Sequence, residues 1–363
     1  MNKKELLEFE VIAIRGNTGY ASAYDRNGLY KVNLNNEECQ FITFFDESFA
    51  AERIHCAAIW IKSKVYFIPA SGDKISVYNT EDSSLRTILI PKASREEHSF
   101  YSARFKFIDV VNKNNYLWLI PSTYPGLLRY DINSDEIDIF DSWIPGCGYR
   151  FRSKAVIEGN SILVPSGNNN VLLKFNMSSN TGTIYTIGDH NNGASCIKKI
   201  GAEYFLAPMM KGSIVAWNPS LNKAREFMGY PESFSSEQGV FSSIYSHGGR
   251  IYFTQMRAKH ALFLQDDKLF EDEVSWNIKE NDLVWFSFET NTHLYYQEHG
   301  PNTEKICYKI SKSDRTVSET EFRIINPNRE KEVFMEIAGR KRDILFDNGY
   351  FNLDFFLDSL CDV

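Results

Sequence analysis

Five of the seven histidines, His55, His98, His190, His260 and His299, lie in or beside polar segments that separate short apolar runs. Arg104, Arg150, Arg152, Arg257 and Lys211 fall in the same kind of segment, as does Tyr101. Imidazoles titrate near neutral pH and can ligate metals. Guanidiniums hold carboxylates or phosphates with two parallel hydrogen bonds, and an aromatic ring can stack on a sugar. Glu96, Glu97, Glu232 and Glu237 add carboxylates of the kind that glycoside chemistry uses in pairs, where their separation decides the outcome. A plainer account also fits these residues, since loops are polar because they are wet.

Motifs do not choose between these chemistries. The chain contains no GxSxG elbow, no GxxxxGK[ST] phosphate loop, no HExxH pair and no dinucleotide fingerprint opening a helix. Pro145-Gly146-Cys147-Gly148 offers a cysteine without a helix start or a paired histidine nearby, and reads as a tight turn. No metal site and no cofactor are expected. What could make the scattered polar residues into one site is the set of elements that position them.

Those elements repeat. An apolar strand ends in proline at Tyr66-Phe67-Ile68-Pro69, Leu117-Trp118-Leu119-Ile120-Pro121, Ile162-Leu163-Val164-Pro165 and Tyr204-Phe205-Leu206-Ala207-Pro208. Nine or ten positions after each proline stands an aromatic followed by Asn or Asp: Tyr78-Asn79, Tyr130-Asp131, Phe175-Asn176 and Trp217-Asn218. A further strand follows each pair, as at 137–140 and 183–187, and another precedes the proline strand, which makes four strands per unit. Weaker copies at 251–264 and 293–308, and near the start at 20–33, bring the count to seven. The units span 8–47, 52–92, 99–143, 149–187, 194–230, 239–276 and 282–325.

A period of this length signals a propeller or a solenoid. A lone four-stranded sheet exposes two apolar faces and its edges, whereas a radial array covers the faces and leaves only short edges. The expected fold is therefore an all-β propeller of about seven four-stranded blades. The prolines suit strand ends, because proline cannot donate to the ladder. Each aromatic is expected to pack between blades while its Asn or Asp closes the following turn.

Over residues 8–325 these units resemble bacterial β-propeller repeats in general, an architectural resemblance that carries no site residues with it. The Trp-Asp ending of WD repeats does not recur, the glycine pair of kelch repeats occurs once, at Gly248-Gly249, and the sialidase Asp-box is not found. If the first strand of each blade is innermost, the loops between blades and those between second and third strands share one face, where propeller ligands usually bind. That loop face would carry His98, Tyr101, Arg104, Arg150, Arg152, His190, Lys211, Arg257, His260 and His299 as the candidate ligand-binding set.

Composition limits the partners. The net charge is −7, with basic and acidic residues interspersed, so no basic footprint for nucleic acid is present. No run reaches the roughly 18 apolar residues of a membrane-spanning helix, and Met1 to Glu10 lacks the apolar stretch of a cleaved signal, which predicts a cytoplasmic protein. The six cysteines are single and widely spaced, as free thiols would be. Residues 1–325 are expected to form the propeller and 326–363 an extension that braces it or docks a partner, with a short helix capped by Asn352 and apolar at Leu353, Phe356, Leu357 and Leu360. Function is expected to be that of a binding or scaffold module presenting the loop face to a protein or a carbohydrate-like ligand. The alternative is a lyase or hydrolase acting on a polar saccharide or carboxylated substrate at the channel mouth.

Overall fold

The computed structural model describes residues 6–47, 53–92, 105–140, 151, 153–189, 193–210, 212–234, 241–258, 260–274, 283–299 and 305–340. Among these residues seven sheets form the blades of a ring, at 9–43, 55–89, 107–140, 156–186, 194–227, 241–271 and 283–320, each inside the unit expected from the repeat. Each blade is a four-stranded antiparallel meander, and blade 1 gains a fifth strand, Arg323–Ile324, which runs parallel to its outer strand Glu38–Thr43.

Position within a blade explains the pattern of apolar residues. The second strands Lys64–Pro69, Tyr116–Pro121, Ser161–Pro165 and Glu203–Pro208 are buried along nearly their whole length, because a neighbouring blade covers each face. A strand covered on both sides reads as a continuous apolar run instead of alternating. Outer strands such as Thr181–Thr186 reach the rim and are largely exposed. The inner strands alternate, as in Phe9–Arg15, where every second residue faces the central channel.

The repeated aromatics pack as expected. Tyr78 meets Tyr20 of blade 1 at 5.1 Å between ring centres, Tyr130 meets Tyr66 of blade 2, Phe175 meets Trp118 of blade 3, and Trp217 meets Tyr185 of blade 4 at 5.2 Å. The following Asn or Asp closes its own turn, since the Asp131, Asn176 and Asn218 side chains accept the backbone N–H two residues on at 2.8–3.0 Å. The motif is one device that seals two blades and turns the chain toward the rim.

Closure of the ring joins the first strand to the last blade. Phe9 N–H donates to the Gln297 side chain of blade 7 at 2.9 Å, Leu7 N–H donates to the Phe322 carbonyl at 2.8 Å, and Phe9 packs edge-on against Phe288 and Phe322. The helix Pro327–Arg340 follows, opened by a proline whose missing N–H would be unpaired there in any case. Val333 and Phe334 sink into the cluster that holds Tyr30, Phe41 and Phe44 of blade 1. Asn326 pins the entry by bonding both the N–H and the carbonyl of Phe41. The helix expected around 353–357 lies outside the described residues, and the described helix of the extension stands earlier, at Pro327–Arg340. No helix among the described residues is long and apolar enough to cross a membrane.

Candidate functional site

The inner strands enclose a channel of about 1040 Å³ lined by side chains from all seven blades. Its walls mix aliphatic and aromatic side chains with serines and with Lys154, Lys198, Lys199 and Glu289, and its loop-face mouth has a pattern of its own. The reason lies in a recurring irregularity of the inner strands. In blades 1, 2, 3, 5 and 6 the register with the second strand slips by one residue near the loop-face end, leaving Glu10, Cys56, Ile108, Ser195 and Ser242 as the extra residues. A bulge of this kind re-aims a side chain, and all five residues line the channel.

Three of the five satisfy themselves in the same way. Cys56 Sγ donates to the Pro69 carbonyl at 3.6 Å, Ser195 Oγ to the Pro208 carbonyl at 3.3 Å and Ser242 Oγ to the Gln255 carbonyl at 3.3 Å. Each accepting carbonyl belongs to the second-strand residue paired with the position just before the bulge. Ile108 needs no partner. Glu10 alone in this ring is ionisable to a negative charge near neutral pH, and an ionised carboxylate has no hydrogen to give a carbonyl.

Glu10 instead faces Arg53, the residue that leads into blade 2. Its Oε1 lies 3.6 Å from Arg53 Nε, longer than a direct hydrogen bond. Both Glu10 Oε2 and Arg53 Nε are buried without a hydrogen-bond partner. Burial pushes the Glu10 carboxyl up to about 7; the Arg53 charge works against this and nearby Glu8 adds to it. The Arg53 guanidinium rests over the rings of Phe105, at 4.4 Å, and Tyr24, at 5.3 Å, so its orientation is set by aromatic faces. Its backbone N–H donates to the Tyr24 carbonyl at 3.1 Å, at a left-handed φ of 52°.

A second carboxylate completes the mouth. Glu8 is hydrogen-bonded to His299 Nδ1, with both side chains 7% exposed, and the Tyr24 ring lies 4.4 Å from the imidazole. Tyr24 N–H donates to the Glu8 carbonyl at 2.8 Å, tying the two layers together. Further along the wall the buried Asp109 carboxyl is raised by its burial, opposed by Lys154, and accepts the Ala155 N–H at 2.9 Å.

Of the residues expected on the loop face, His299 stands in this mouth. Arg257 and His260 lie together on the loop between the second and third strands of blade 6, outside the channel lining, with Arg257 exposed and His260 Nε2 3.9 Å from Glu271. His98, Tyr101, Arg104, Arg150, Arg152, His190 and Lys211 lie outside the described residues. His55, also read as a loop-face histidine, is buried between Phe45 and Phe67 with Nδ1 on Ser22 Oγ, and burial pushes it down to about 3. Glu8, Glu10, Tyr24, Arg53 and Phe105 were not anticipated. The available signal was a glutamate interrupting the apolar strand Phe9–Arg15.

No group of three or more metal-ligating side chains is assembled among the described residues, and Cys39, Cys56, Cys196 and Cys307 are free thiols. No protein-family model matches the chain, and no curated protein matches its sequence. Solved structures do match its shape. A catalytically inactive virginiamycin B lyase from Staphylococcus aureus with quinupristin superposes with a TM-score of 0.62 at 14% identity, over 82% of this chain and 94% of that one. A streptogramin B lyase gives 0.60 at 10% identity, over 82% and 92%. BamB from Moraxella catarrhalis gives 0.54 at 11% identity, over 79% and 81%. At such identities the likeness is one of fold alone.

Proposed function

We propose that the protein is a binding module that receives a small, polar-headed ligand in the loop-face mouth of its channel. The observation that carries this reading is the pairing of Glu10 with Arg53: a largely buried carboxyl and a half-buried guanidinium, 3.6 Å apart, whose Oε2 and Nε are buried without a partner, at the rim of a cavity of about 1040 Å³. Buried polar atoms are nearly always hydrogen-bonded, so a pair left open at a cavity rim is what a ligand would complete. The wider expectation of a protein or carbohydrate-like partner narrows to a small ligand because the open groups are recessed. In the same reading residues 1–325 are the ring and 326–363 brace it.

A thermal-shift screen of the full chain against sugars, amines and acids, with and without divalent metals, tests this, since a ligand of the native state raises the midpoint by mass action. A shift that disappears in Arg53→Ala supports the reading. It is overturned if no small molecule shifts the midpoint while a partner protein is captured equally well by wild type and Arg53→Ala.

One observation favours a second reading, a propeller lyase or hydrolase. A carboxyl held near 7 can both give and take a proton at neutral pH, and lyases are among the proteins that share this fold. Turnover of a substrate that is lost in Glu10→Gln while binding persists would establish it; binding without turnover would leave the module non-catalytic.

A further inference from the structure

The mouth of the channel has two halves that call for different parts of one molecule. Arg53 and Glu10 form the polar one; Ile12, Ile14, Ile59, Ile197 and Ile244 line the channel beside them, in a lining that also holds Lys154, Lys198, Lys199 and Glu289. From this juxtaposition we infer that the ligand is an amphiphilic carboxylic acid, bound with its carboxylate between Arg53 and Glu10 and its apolar body along the isoleucine wall. The inference rests on the binding-module reading above and specifies its ligand.

The charge count favours an acid over an amine or a neutral sugar. Arg53 Nε is buried without a hydrogen-bond partner, and the aromatic faces of Tyr24 and Phe105 hold the guanidinium without using its N–H edge. An unused planar fork matches a carboxylate. Glu10 Oε2, when it carries a proton, gives one hydrogen bond to the second ligand oxygen and so ends its own lack of a partner. One ligand charge then balances one guanidinium. A dianionic phosphate would leave charge unmatched beside Glu8 and Glu10, and an amine would leave Arg53 without an acceptor.

Above about pH 7 binding therefore takes up one proton, which moves from solvent to Glu10 and is shared with the ligand carboxylate, whereas below it Glu10 already carries that proton. The charged and titratable groups around Glu10 are Glu8 with its partner His299, Arg53 and Tyr24 at the mouth, and Cys56 with Asp109 and Lys154 along the adjoining wall. The sign follows from Glu10. Its protonated form predominates below about 7, so affinity is greatest on the acid side and falls as the pH rises beyond that value.

Octanoate, octylamine and octyl glucoside, titrated calorimetrically into the full chain between about pH 6 and about pH 8, separate the possibilities. Octanoate, ionised throughout this range, is expected to bind, and to weaken about tenfold per pH unit above Glu10's own value. In Glu10→Gln the amide donates at every pH, so octanoate binding should become nearly independent of pH although Glu8 and His299 remain. Arg53→Ala should lose at least about tenfold, with circular dichroism confirming the fold. Preferential binding of octylamine or octyl glucoside, lost in Arg53→Ala, would sink the carboxylate assignment and leave the binding-module reading standing. A pH slope that survives Glu10→Gln would also sink it. Silence from all three probes and from the wider panel would remove both.

Discussion

Blade 1 and blade 5 are built from the same four-strand meander and differ at the bulge of the inner strand. In blade 5 the extra residue is Ser195, which returns a hydrogen bond to the Pro208 carbonyl of its own blade. In blade 1 it is Glu10, whose Oε2 is buried without a partner. Seryl and thiol groups can be donors and so disappear into the fold, whereas an ionised carboxylate can only accept. The same backbone thus yields a structural residue in one blade and an open, proton-sensitive group in the other. Blade 1 is also where the ring closes, and among the described residues it alone carries an added parallel strand and the packed helix.

The largest expected effect probes that closure. Phe334→Ala removes a 2%-exposed ring from the helix that covers blade 1, and should cost about 4 kcal/mol by chemical denaturation. A loss below about 1 kcal/mol would mean that the helix adds little to blade 1. Next comes Glu10 itself. With a folded-state value near 7 against an ordinary 4.5, it binds a proton more readily folded than unfolded. Its contribution is full below about pH 4.5 and is lost as the pH rises through about 7, amounting to about 3 kcal/mol. Glu10→Ser should flatten this part of the stability profile, because serine can donate to the Ala23 carbonyl as Ser195 does to Pro208.

The reverse transplant, Ser195→Glu, should import a pH dependence of the same sign and of about 3 kcal/mol, because burial alone produces it and the Arg53 charge only opposes it at Glu10. A pH-independent cost would show that the bulge position alone does not confer the property. The smallest effect concerns Cys56. Burial pushes this thiol well above its ordinary range, with the negative charges of Asp109 and Glu10 adding to it. Alkylation at neutral pH should therefore be slow in the folded protein, and should become fast only on unfolding. Rapid modification of native protein at Cys56 would contradict the packing described for this wall.

The proline-ended strands and the aromatic–Asn/Asp pairs made the blades legible in sequence because both recur for local reasons: a strand covered on both faces must be continuously apolar, and a turn needs its side-chain acceptor. The channel-mouth residues were not legible. Glu10 reads as one polar position in an alternating strand, and only the slip of register turns it toward the ring of equivalent bulges. Arg53 follows a loop and gains its meaning from Tyr24 and Phe105, contributed by the flanking blades on either side. His299 could be placed on the loop face by topology, yet its partner Glu8 lies 291 residues away in sequence.

By itself the sequence determined the number of blades, their limits and the face on which the loops gather, since these follow from local periodicity repeated seven times. Tertiary structure decided which polar residues meet. Closing the ring brings the first strand against the last blade and withdraws Glu10 from water beside a guanidinium it does not fully reach. Desolvation is a property of the assembled surroundings, and no spacing along the chain encodes it.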